Sequence, residues 1–403
     1  MRLGMTRRRW IGLAGCLTIV ILVLVVALAG GGEGHAVPDT TVPEGGSAFG
    51  AKSAAESNPH AAAPAPAAAE TTPEKPAPGL PASAARSAAR LFLVGFGGPE
   101  PGDAMLRRFR DHEWGGVVLE PGNGESPQQV AGMVGQIRGA ALDAGHEPPL
   151  IAASQLGGQL DAVPVGAPPQ SAARDAAAAR AAALGSAKAL HPLGIRMVLA
   201  PDADIGFAGG PWEGVAFSDD PKAVAAQTAA AVSGWKDGEV APVPGHFPGE
   251  GAASGDPALE AATVGLSLDD LKARDFLPFQ AIAQHAPAIQ LSSATYVAFD
   301  GVTPATLLPE VVKLLRDDLK FGGVIVSGDL AAASLAGGEP VADLAVDAIK
   351  AGVDLLWIPG GAEDQDAAWR AVVRALRKGT IPVSRVAEAL QRVDALRHDY
   401  GVR

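Results

Sequence analysis

The chain has 403 residues, of which 48% are hydrophobic and 5% aromatic, and a formal net charge of −12. This length accommodates one large domain of the α/β-barrel kind, which typically uses about 250 residues. The first 90 residues contain eight basic and six acidic side chains, so the rest of the chain carries the excess of negative charge. An acidic domain repels nucleic acid and anionic lipid, which excludes both as partners. The single cysteine, Cys16, excludes a disulfide framework and a cysteine metal site.

Residues 10–29 form an uncharged apolar stretch, WIGLAGCLTIVILVLVVALA. A helix of about 20 residues spans a bilayer core, and the arginines at positions 2, 7, 8 and 9 keep its start on the cytoplasmic side. We predict that residues 1–30 are a membrane anchor with the rest of the chain outside. Two alternatives remain open. Ala27-Leu28-Ala29 fits a signal-peptidase site, and Leu13-Ala14-Gly15-Cys16 is similar to a lipoprotein box, although most of the apolar stretch follows Cys16.

Residues 31–88 are rich in Ala, Pro, Gly, Ser, Thr and Glu and contain AAAPAPAAAE and TTPEKPAPG. They lack apolar periodicity, so they cannot bury enough surface to offset their chain entropy. We predict a disordered linker that holds the following domain away from the membrane.

From residue 89 onward, short apolar runs alternate with amphipathic stretches. The runs lie at 91–96, 116–119, 150–153, 196–200, 240–244, 288–291, 323–326 and 354–358. Continuous apolar runs of this length are typical of buried parallel strands.

Helices are predicted between these strands. Ser126-Pro127 and Asp220-Pro221 each combine a capping residue with a proline at the first helical position, and they begin helices that end near residues 144 and 235. Ser267 begins a capping box before a helix over 268–284. Further helices are predicted over 171–190, 306–319, 342–350, 364–378 and 383–398. Eight strands alternating with helices predict a single (β/α)8 TIM-like barrel over residues 89–403.

The functional site of such a barrel lies just after the carboxyl ends of its strands. Those positions are 154–159, 201–204, 245–252, 292–296 and 327–329. The glycine pairs at 97–98 and 157–158 fit turns rather than a phosphate-binding loop, and no His, Asp or Glu spacing indicates a metal site. We therefore predict neither a cofactor nor a metal.

Residues 244–251, PGHFPGEG, resemble the KHFPGHG loop of family 3 glycoside hydrolases, in the single-domain β-N-acetylhexosaminidase branch. Further stretches resemble the family in the same order: IAASQLGGQL at 151–160, APDADI at 200–205, FSDDP at 217–221, SLDDLKARDFLPF at 267–279 and FGGVIVSGDL at 321–330. The resemblance covers about residues 90–400. It implies a β/α barrel related to enzymes that hydrolyse N-acetylglucosamine-containing glycans.

The same resemblance implies that the catalytic residues are substituted. Gly328 stands at the position of the family's aspartate nucleophile, and Asp329 follows it. Glu250 stands at the position of the acid/base histidine, and Ala252 at that of the aspartate assisting it. The sugar-binding positions are also changed, to Ser154, Gln159, Val215, Gly245 and Ser293, while His246 and Asp204 remain. Retaining hydrolysis needs a carboxylate nucleophile and a proton donor, and glycine supplies no nucleophile.

Each of these residues has a structural interpretation beside a functional one. Glu250 is interpreted as a solvated loop residue, with a replacement acid as the alternative. Asp329 is expected to cap the next turn rather than act as a nucleophile, and Asp204 to be a structural hydrogen-bonding residue. His246 is expected to be held by packing beneath the loop, with sugar contact as the alternative. Trp212 either stacks on a sugar or covers the barrel.

Three hypotheses about function follow. In the first, the domain is catalytically degenerate and binds a cell-wall glycan such as a peptidoglycan fragment. In the second, it is an active glycosidase whose carboxylates have moved to Glu250 and Asp329. In the third, it is a scaffold for a cell-envelope protein, and its barrel no longer binds sugar.

Overall fold

The computed structural model describes residues 82–402. The predicted anchor and residues 31–81 of the predicted linker lie outside these described residues. The last residues of the predicted linker belong to helix α1, Ala82–Ala89, which precedes the first strand. Within residues 82–402, no helix is both long and apolar enough to cross a bilayer.

Eight parallel strands form the main sheet, and each contains or overlaps one of the predicted apolar runs. They are β1 Phe92–Val94, β2 Gly116–Leu119, β3 Leu150–Ser154, β4 Met197–Leu199, β5 Ala241–Pro242, β7 Ala288–Gln290, β9 Val324–Asp329 and β10 Leu355–Ile358. Their order in the sheet is β5-β4-β3-β2-β1-β10-β9-β7, with every pairing parallel. Two short strands, β6 Thr263–Val264 and β8 Thr295–Tyr296, pair separately in loops that follow β5 and β7.

The two ends of the sheet are joined just beyond β5. The backbone N–H of Gln290 donates to Pro244 O at 2.9 Å, and the N–H of Phe247 donates to Gln290 O at 2.9 Å. The chain that follows β5 therefore bridges to β7 and brings the sheet close to full closure. The predicted eight-stranded β/α barrel is confirmed.

The helices cover the outside of this barrel. They are α1 Ala82–Ala89, α2 Gly102–Asp111, α3 Pro127–Asp143, α4 Ala176–Leu190, α5 Pro221–Asp237, α6 Leu268–Ala273, α7 Phe276–Ile282, α8 Pro309–Lys313, α9 Leu330–Gly337, α10 Val341–Ala351, α11 Ala362–Arg377 and α12 Val383–Asp399. The predicted caps are confirmed at Ser126, Asp220 and Ser267, whose side chains accept hydrogen bonds from the backbone N–H groups of Gln129, Lys222 and Asp270.

Three predicted helices have different limits from those expected. The helix predicted over 268–284 is two helices, because Pro278 has no N–H to donate to the carbonyl of Arg274, where α6 ends. The helix predicted over 306–319 begins at Pro309, after a 3-10 turn, and ends in a π-helical turn. The helix predicted over 171–190 begins at Ala176, because Asp175 accepts a hydrogen bond from Ala178 N at 2.8 Å and caps it there.

Apolar side chains fill both sides of the strands. One buried cluster lies between strands and helices, and a second includes Leu93, Val118, Leu150, Met197, Val326 and Leu355 from alternate positions of the strands. Val393 and Leu396 of α12 belong to this second cluster. The last helix therefore packs against the same apolar interior as the strands, while the loops at the carboxyl ends of the strands remain for the site.

Candidate functional site

The loops at the carboxyl ends of the strands surround a cavity of about 170 Å³. Seven residues singled out in the sequence line it: Ser154, Trp212, Gly245, His246, Glu250, Ser293 and Asp329. Residues not singled out there also line it, among them Asp202, Asp256, Gln290 and Trp357. Gln159 does not line the cavity, and it lies exposed on a 3-10 turn after β3.

Asp204 holds the loop that follows β5. This carboxylate is 1% exposed. Its Oδ2 accepts hydrogen bonds from the backbone N–H of His246 at 3.2 Å and from His246 Nδ1 at 2.8 Å. Its Oδ1 accepts from the backbone N–H of Glu250 at 2.6 Å. The interpretation of Asp204 as a structural hydrogen-bonding residue is confirmed.

Glu250 is buried beneath the loop, at 3% exposure, so the expectation of a solvated loop residue was wrong. Its Oε2 accepts a hydrogen bond from Ser292 Oγ at 2.5 Å, and its Oε1 lies 3.1 Å from His246 Nδ1. The bond between its own N–H and Asp204 turns the side chain inward, toward the end of β7. Nothing in the local sequence reveals this burial, because Ser292 lies 42 residues away, after β7.

Burial and charge shift the pKa values of this pair. Burial raises the pKa of Glu250 to about 7, although the imidazolium of His246 opposes the rise. For His246, burial lowers the pKa, but Glu250 and Asp204 outweigh it and raise the pKa to about 10. The carboxyl groups beside His246 therefore favour a positive charge at this position.

Two tryptophans form aromatic walls of the cavity. Trp212 stacks on His246, with ring centroids 5.1 Å apart and an interplanar angle of 25°, so one face of this indole is covered by the imidazole. Trp357 lines the cavity from β10. The buried Nε1 atoms of both indoles lack a hydrogen-bond partner among the residues that the structure describes.

The hydroxyl group of Ser293 occupies the space that a side chain at position 328 would need. A Cβ at Gly328 would lie 2.3 Å from Ser293 Oγ and 3.0 Å from both Leu291 O and Ser293 N. A Cβ at Gly245 would lie 3.2 Å from the side chain of Gln290. Neighbouring groups therefore fill the side-chain space at Gly328 and pack tightly against Gly245.

Asp329 caps the helix that follows its strand. Its Oδ1 accepts hydrogen bonds from Ala331 N at 2.7 Å and Ala332 N at 2.9 Å, at the start of α9. Burial raises the pKa of this carboxyl, and the two peptide N–H groups oppose the rise. The expectation that Asp329 is a capping residue is confirmed.

Sequence reasoning missed two buried carboxyl groups, Asp202 and Asp275, and the half-buried Glu120. Asp202 is 2% exposed, its Oδ1 accepts from Asp204 N at 2.7 Å, and its Oδ2 has no partner within the described residues. Burial and the neighbouring Asp204 raise its pKa well above the usual range. Burial also raises the pKa of Asp275 to about 7, and that of Glu120 to about 7 with a contribution from Asp329. The position of Asp202 at the end of β4 was the available signal, since barrel sites use such positions.

Comparison with known proteins agrees with this geometry. Residues 90–396 match the model of the glycosyl hydrolase family 3 N-terminal domain. The chain belongs to glycosyl hydrolase family 3. A beta-hexosaminidase of Stenotrophomonas maltophilia is 34% identical over 267 residues, which cover 62% of this chain and 78% of that protein.

Solved structures of family 3 proteins share the barrel. A family 3 beta-N-acetylglucosaminidase from Paenibacillus superposes with a TM-score of 0.74 at 29% identity, covering 79% of this chain and 62% of that one. The match therefore spans less than two thirds of the Paenibacillus protein. A beta-N-acetylhexosaminidase from Beutenbergia cavernae gives a TM-score of 0.72 at 27% identity, covering 78% of this chain and 98% of that one. The resemblance drawn from the motifs is confirmed at the level of family and fold.

The cavity of this family 3 barrel and the surroundings of Gly328 are the features of the site that bear on function. The site has a partly open cavity, two indoles, and a buried carboxyl group whose raised pKa suits a proton donor. At the position that the motif resemblance assigns to the nucleophile, it has a glycine whose side-chain space is taken by Ser293.

Proposed function

We propose that this domain is a catalytically degenerate family 3 barrel that binds N-acetylglucosamine-containing cell-wall glycan without cleaving it. The observation that carries the proposal is the closed space at Gly328, where Ser293 Oγ lies 2.3 Å from the site of a Cβ. A retaining mechanism needs a carboxylate that attacks the anomeric carbon. A position with no side chain, and with a hydroxyl group in its space, cannot supply one.

Relocation of the nucleophile to Asp329 is disfavoured by its contacts. One oxygen of Asp329 is engaged by two peptide N–H groups, and burial raises the pKa of the group. A nucleophilic carboxylate has to be ionised and directed at the sugar. The raised pKa of Glu250 would suit a general acid, but an acid alone does not complete the reaction.

Binding is supported by what remains of the cavity. Pyranose rings stack on aromatic side chains, and hydroxyl groups pair with buried donors and acceptors. Trp357 and Trp212 offer indole N–H groups, and Asp202 offers a carboxyl oxygen without a partner among the described residues. The relatives that match are hexosaminidases, which makes an N-acetylglucosamine-containing glycan the first ligand to test.

The proposed location is outside the cytoplasmic membrane, with residues 10–29 as the anchor. The uncharged run and the arginines before it support this placement. We expect the chain to sediment with membranes and its C-terminal domain to be cleaved by protease added to intact cells. A chain found in the soluble cytoplasmic fraction contradicts the placement.

Two measurements on the purified full-length chain test the function. A chromogenic N-acetylglucosaminide should show no turnover above buffer, and peptidoglycan fragments should bind in calorimetry. Trp212→Ala should weaken binding by about tenfold, as expected for a lost stacking contact. Trp369→Ala is the matched control, because this half-buried indole lies on α11 and does not line the cavity.

The outcomes separate the three hypotheses. Turnover by the wild-type chain that is abolished by Glu250→Gln or Asp329→Asn identifies an active enzyme with moved carboxylates. Absence of both turnover and glycan binding leaves the protein scaffold and contradicts the proposal.

A further inference from the structure

Four carboxyl groups converge beneath the loop that follows β5, and few positive charges face them. Asp202, Asp204, Glu250 and Asp275 are each at most 3% exposed. The cations nearby are His246, whose side chain is 20% exposed, and the half-buried Arg274, whose guanidinium stacks over Phe207. Several carboxylates cannot all remain ionised out of water without compensating charge. Either protons or a bound cation complete this cluster.

The arrangement of three of these side chains favours a cation. His246 Nδ1 lies 2.8 Å from Asp204 Oδ2 and 3.1 Å from Glu250 Oε1. One ligand atom from each residue lies within 4.8 Å of the others. Tetrahedral zinc, with ligands at about 2.0 to 2.1 Å, separates them by about 3.3 Å, so small adjustments would admit the ion.

A second observation, independent of this triad, also points to a ligand. Asp202 Oδ2 has no hydrogen-bond partner in the described part of the chain, although the residue is 2% exposed and lines the same cavity as His246 and Glu250. Buried polar atoms are nearly always satisfied, so one that is not marks a missing partner such as an ion or a water. A cation held by the triad, or a water bound to it, would supply that partner.

We propose that Asp204, His246 and Glu250 form a binding site for a divalent metal ion of the zinc class. Imidazole and carboxylate donors suit zinc, and three protein ligands leave a fourth position open. Because His246 and Glu250 line the cavity, that fourth position faces it and is open to water or to an oxygen of a bound molecule. Stacking of Trp212 on the imidazole restricts the ring that bears the nitrogen ligand.

The first experiment uses the wild-type full-length chain without a histidine tag. The chain is stripped with a chelator, dialysed against zinc, and analysed for metal and for thermal stability. About one zinc per chain should be retained, with a rise in Tm that grows with zinc concentration. Cobalt bound in place of zinc should give the intense visible absorption of a four-coordinate site with nitrogen and oxygen donors. Absence of stoichiometric metal, or a cobalt spectrum of a six-coordinate ion, overturns the proposal.

The second experiment locates the site. His246→Gln and Glu250→Gln should each lower zinc affinity by at least about tenfold, a loss typical of a disturbed metal site. Asp256→Asn is the matched control, because its carboxylate lines the same cavity but is outside the triad. His191→Gln controls for zinc on a surface histidine, here one that lies 3.7 Å from Glu239. Unchanged affinity in Glu250→Gln, or an equal loss in Asp256→Asn, contradicts the assignment. If the triad variants fail to fold, the wild-type cobalt spectrum decides.

Discussion

Gly328 lies where three neighbouring atoms leave no volume for a Cβ, and this makes the loss of the nucleophile hard to reverse. Gly328→Asp should lower the free energy of unfolding by about 1 to 3 kcal/mol, the usual effect of overpacking. Removing the hydroxyl group with Ser293→Gly should restore part of that stability, because Ser293 Oγ is the nearest atom, at 2.3 Å. Neither variant should hydrolyse an N-acetylglucosaminide. Urea denaturation of the single and double variants measures the coupling, and a Gly328→Asp chain as stable as wild type would contradict the geometry.

Asp354, directly before β10, has a structural role comparable to that of Asp204. It is 1% exposed and contacts Arg316 at 2.7 Å, Arg385 at 2.5 Å and Arg392 at 3.0 Å. Removing the charge leaves several guanidinium groups without a counterion, so Asp354→Asn should destabilise the barrel by about 3 to 5 kcal/mol. The exposed Asp317 pairs with Lys313 one turn earlier, and Asp317→Asn should change the stability little, because exposed ion pairs contribute little. Similar losses in the two variants would show that the arginine cluster does not stabilise the fold.

The positions of individual site residues were predictable where a motif fixed them, and their environments were not. The loop motif placed His246 and Glu250 together, four residues apart. It did not show that Glu250 turns inward, since that depends on Ser292 in the loop that follows β7. Asp202 was equally visible in the sequence. Its importance depends on burial and on an unpaired oxygen, which only the folded structure shows.

At the scale of elements, capping residues determine where helices begin, and Asp329 is one of them. Asp329→Ala removes an acceptor for two peptide N–H groups of α9 and should cost about 1 to 2 kcal/mol, whereas Asp329→Asn should cost less because the amide oxygen still accepts. Ser126→Ala, at the start of α3, calibrates the loss at an ordinary cap. Chemical denaturation compares the three variants. If alanine and asparagine at position 329 cost the same, the capping bonds do not contribute.

Sequence pattern predicted the elements better than their limits. All eight strand positions followed from apolar runs, because a strand buried on both faces has a nearly continuous apolar sequence. The helix limits failed at Pro278 and Pro309, where the missing N–H of a proline breaks or begins a helix within an otherwise periodic stretch. Helices α1, α2 and α9 were not predicted; in α9, AAASLAG has no clear polar face.

At the scale of the whole molecule, the alternation of strands and helices was sufficient to predict the barrel, because short connections place successive parallel strands side by side. The order of the strands around the sheet follows the chain as expected. What alternation does not predict is the charge balance inside the molecule. That balance depends on which carboxyl groups the closed barrel removes from water.

This balance predicts an unusual dependence of stability on pH. Burial raises the pKa values of Asp275 and Glu120 to about 7, far above the values of about 4 for unfolded carboxyl groups. The folded chain therefore binds more protons than the unfolded chain between about pH 4 and pH 7. The free energy of unfolding consequently falls as the pH rises through that window. The pKa of His246 is raised to about 10 in the folded chain, against about 6.5 in the unfolded chain. Protonated His246 therefore contributes its full stabilisation of the fold below about pH 6.5, and this contribution is lost as the pH rises toward 10. Burial lowers the pKa of His112, which acts in the opposite sense but only near and below about pH 6.5.

The expected result is a Tm at pH 5.5 that exceeds the Tm at pH 8 by at least about 3 °C, measured in the presence of a chelator so that no bound metal contributes. Asp275→Asn should flatten this slope, because an amide at that buried position does not titrate and carries no charge at pH 8. Asp317→Asn should leave the slope unchanged, since its carboxylate is exposed and paired at the surface. A wild-type Tm that rises between pH 5.5 and pH 8 would mean that the buried carboxyl groups are already neutralised by contacts other than protons. An unaltered slope in Asp275→Asn would mean that this carboxyl is not one of the groups that bind protons on folding.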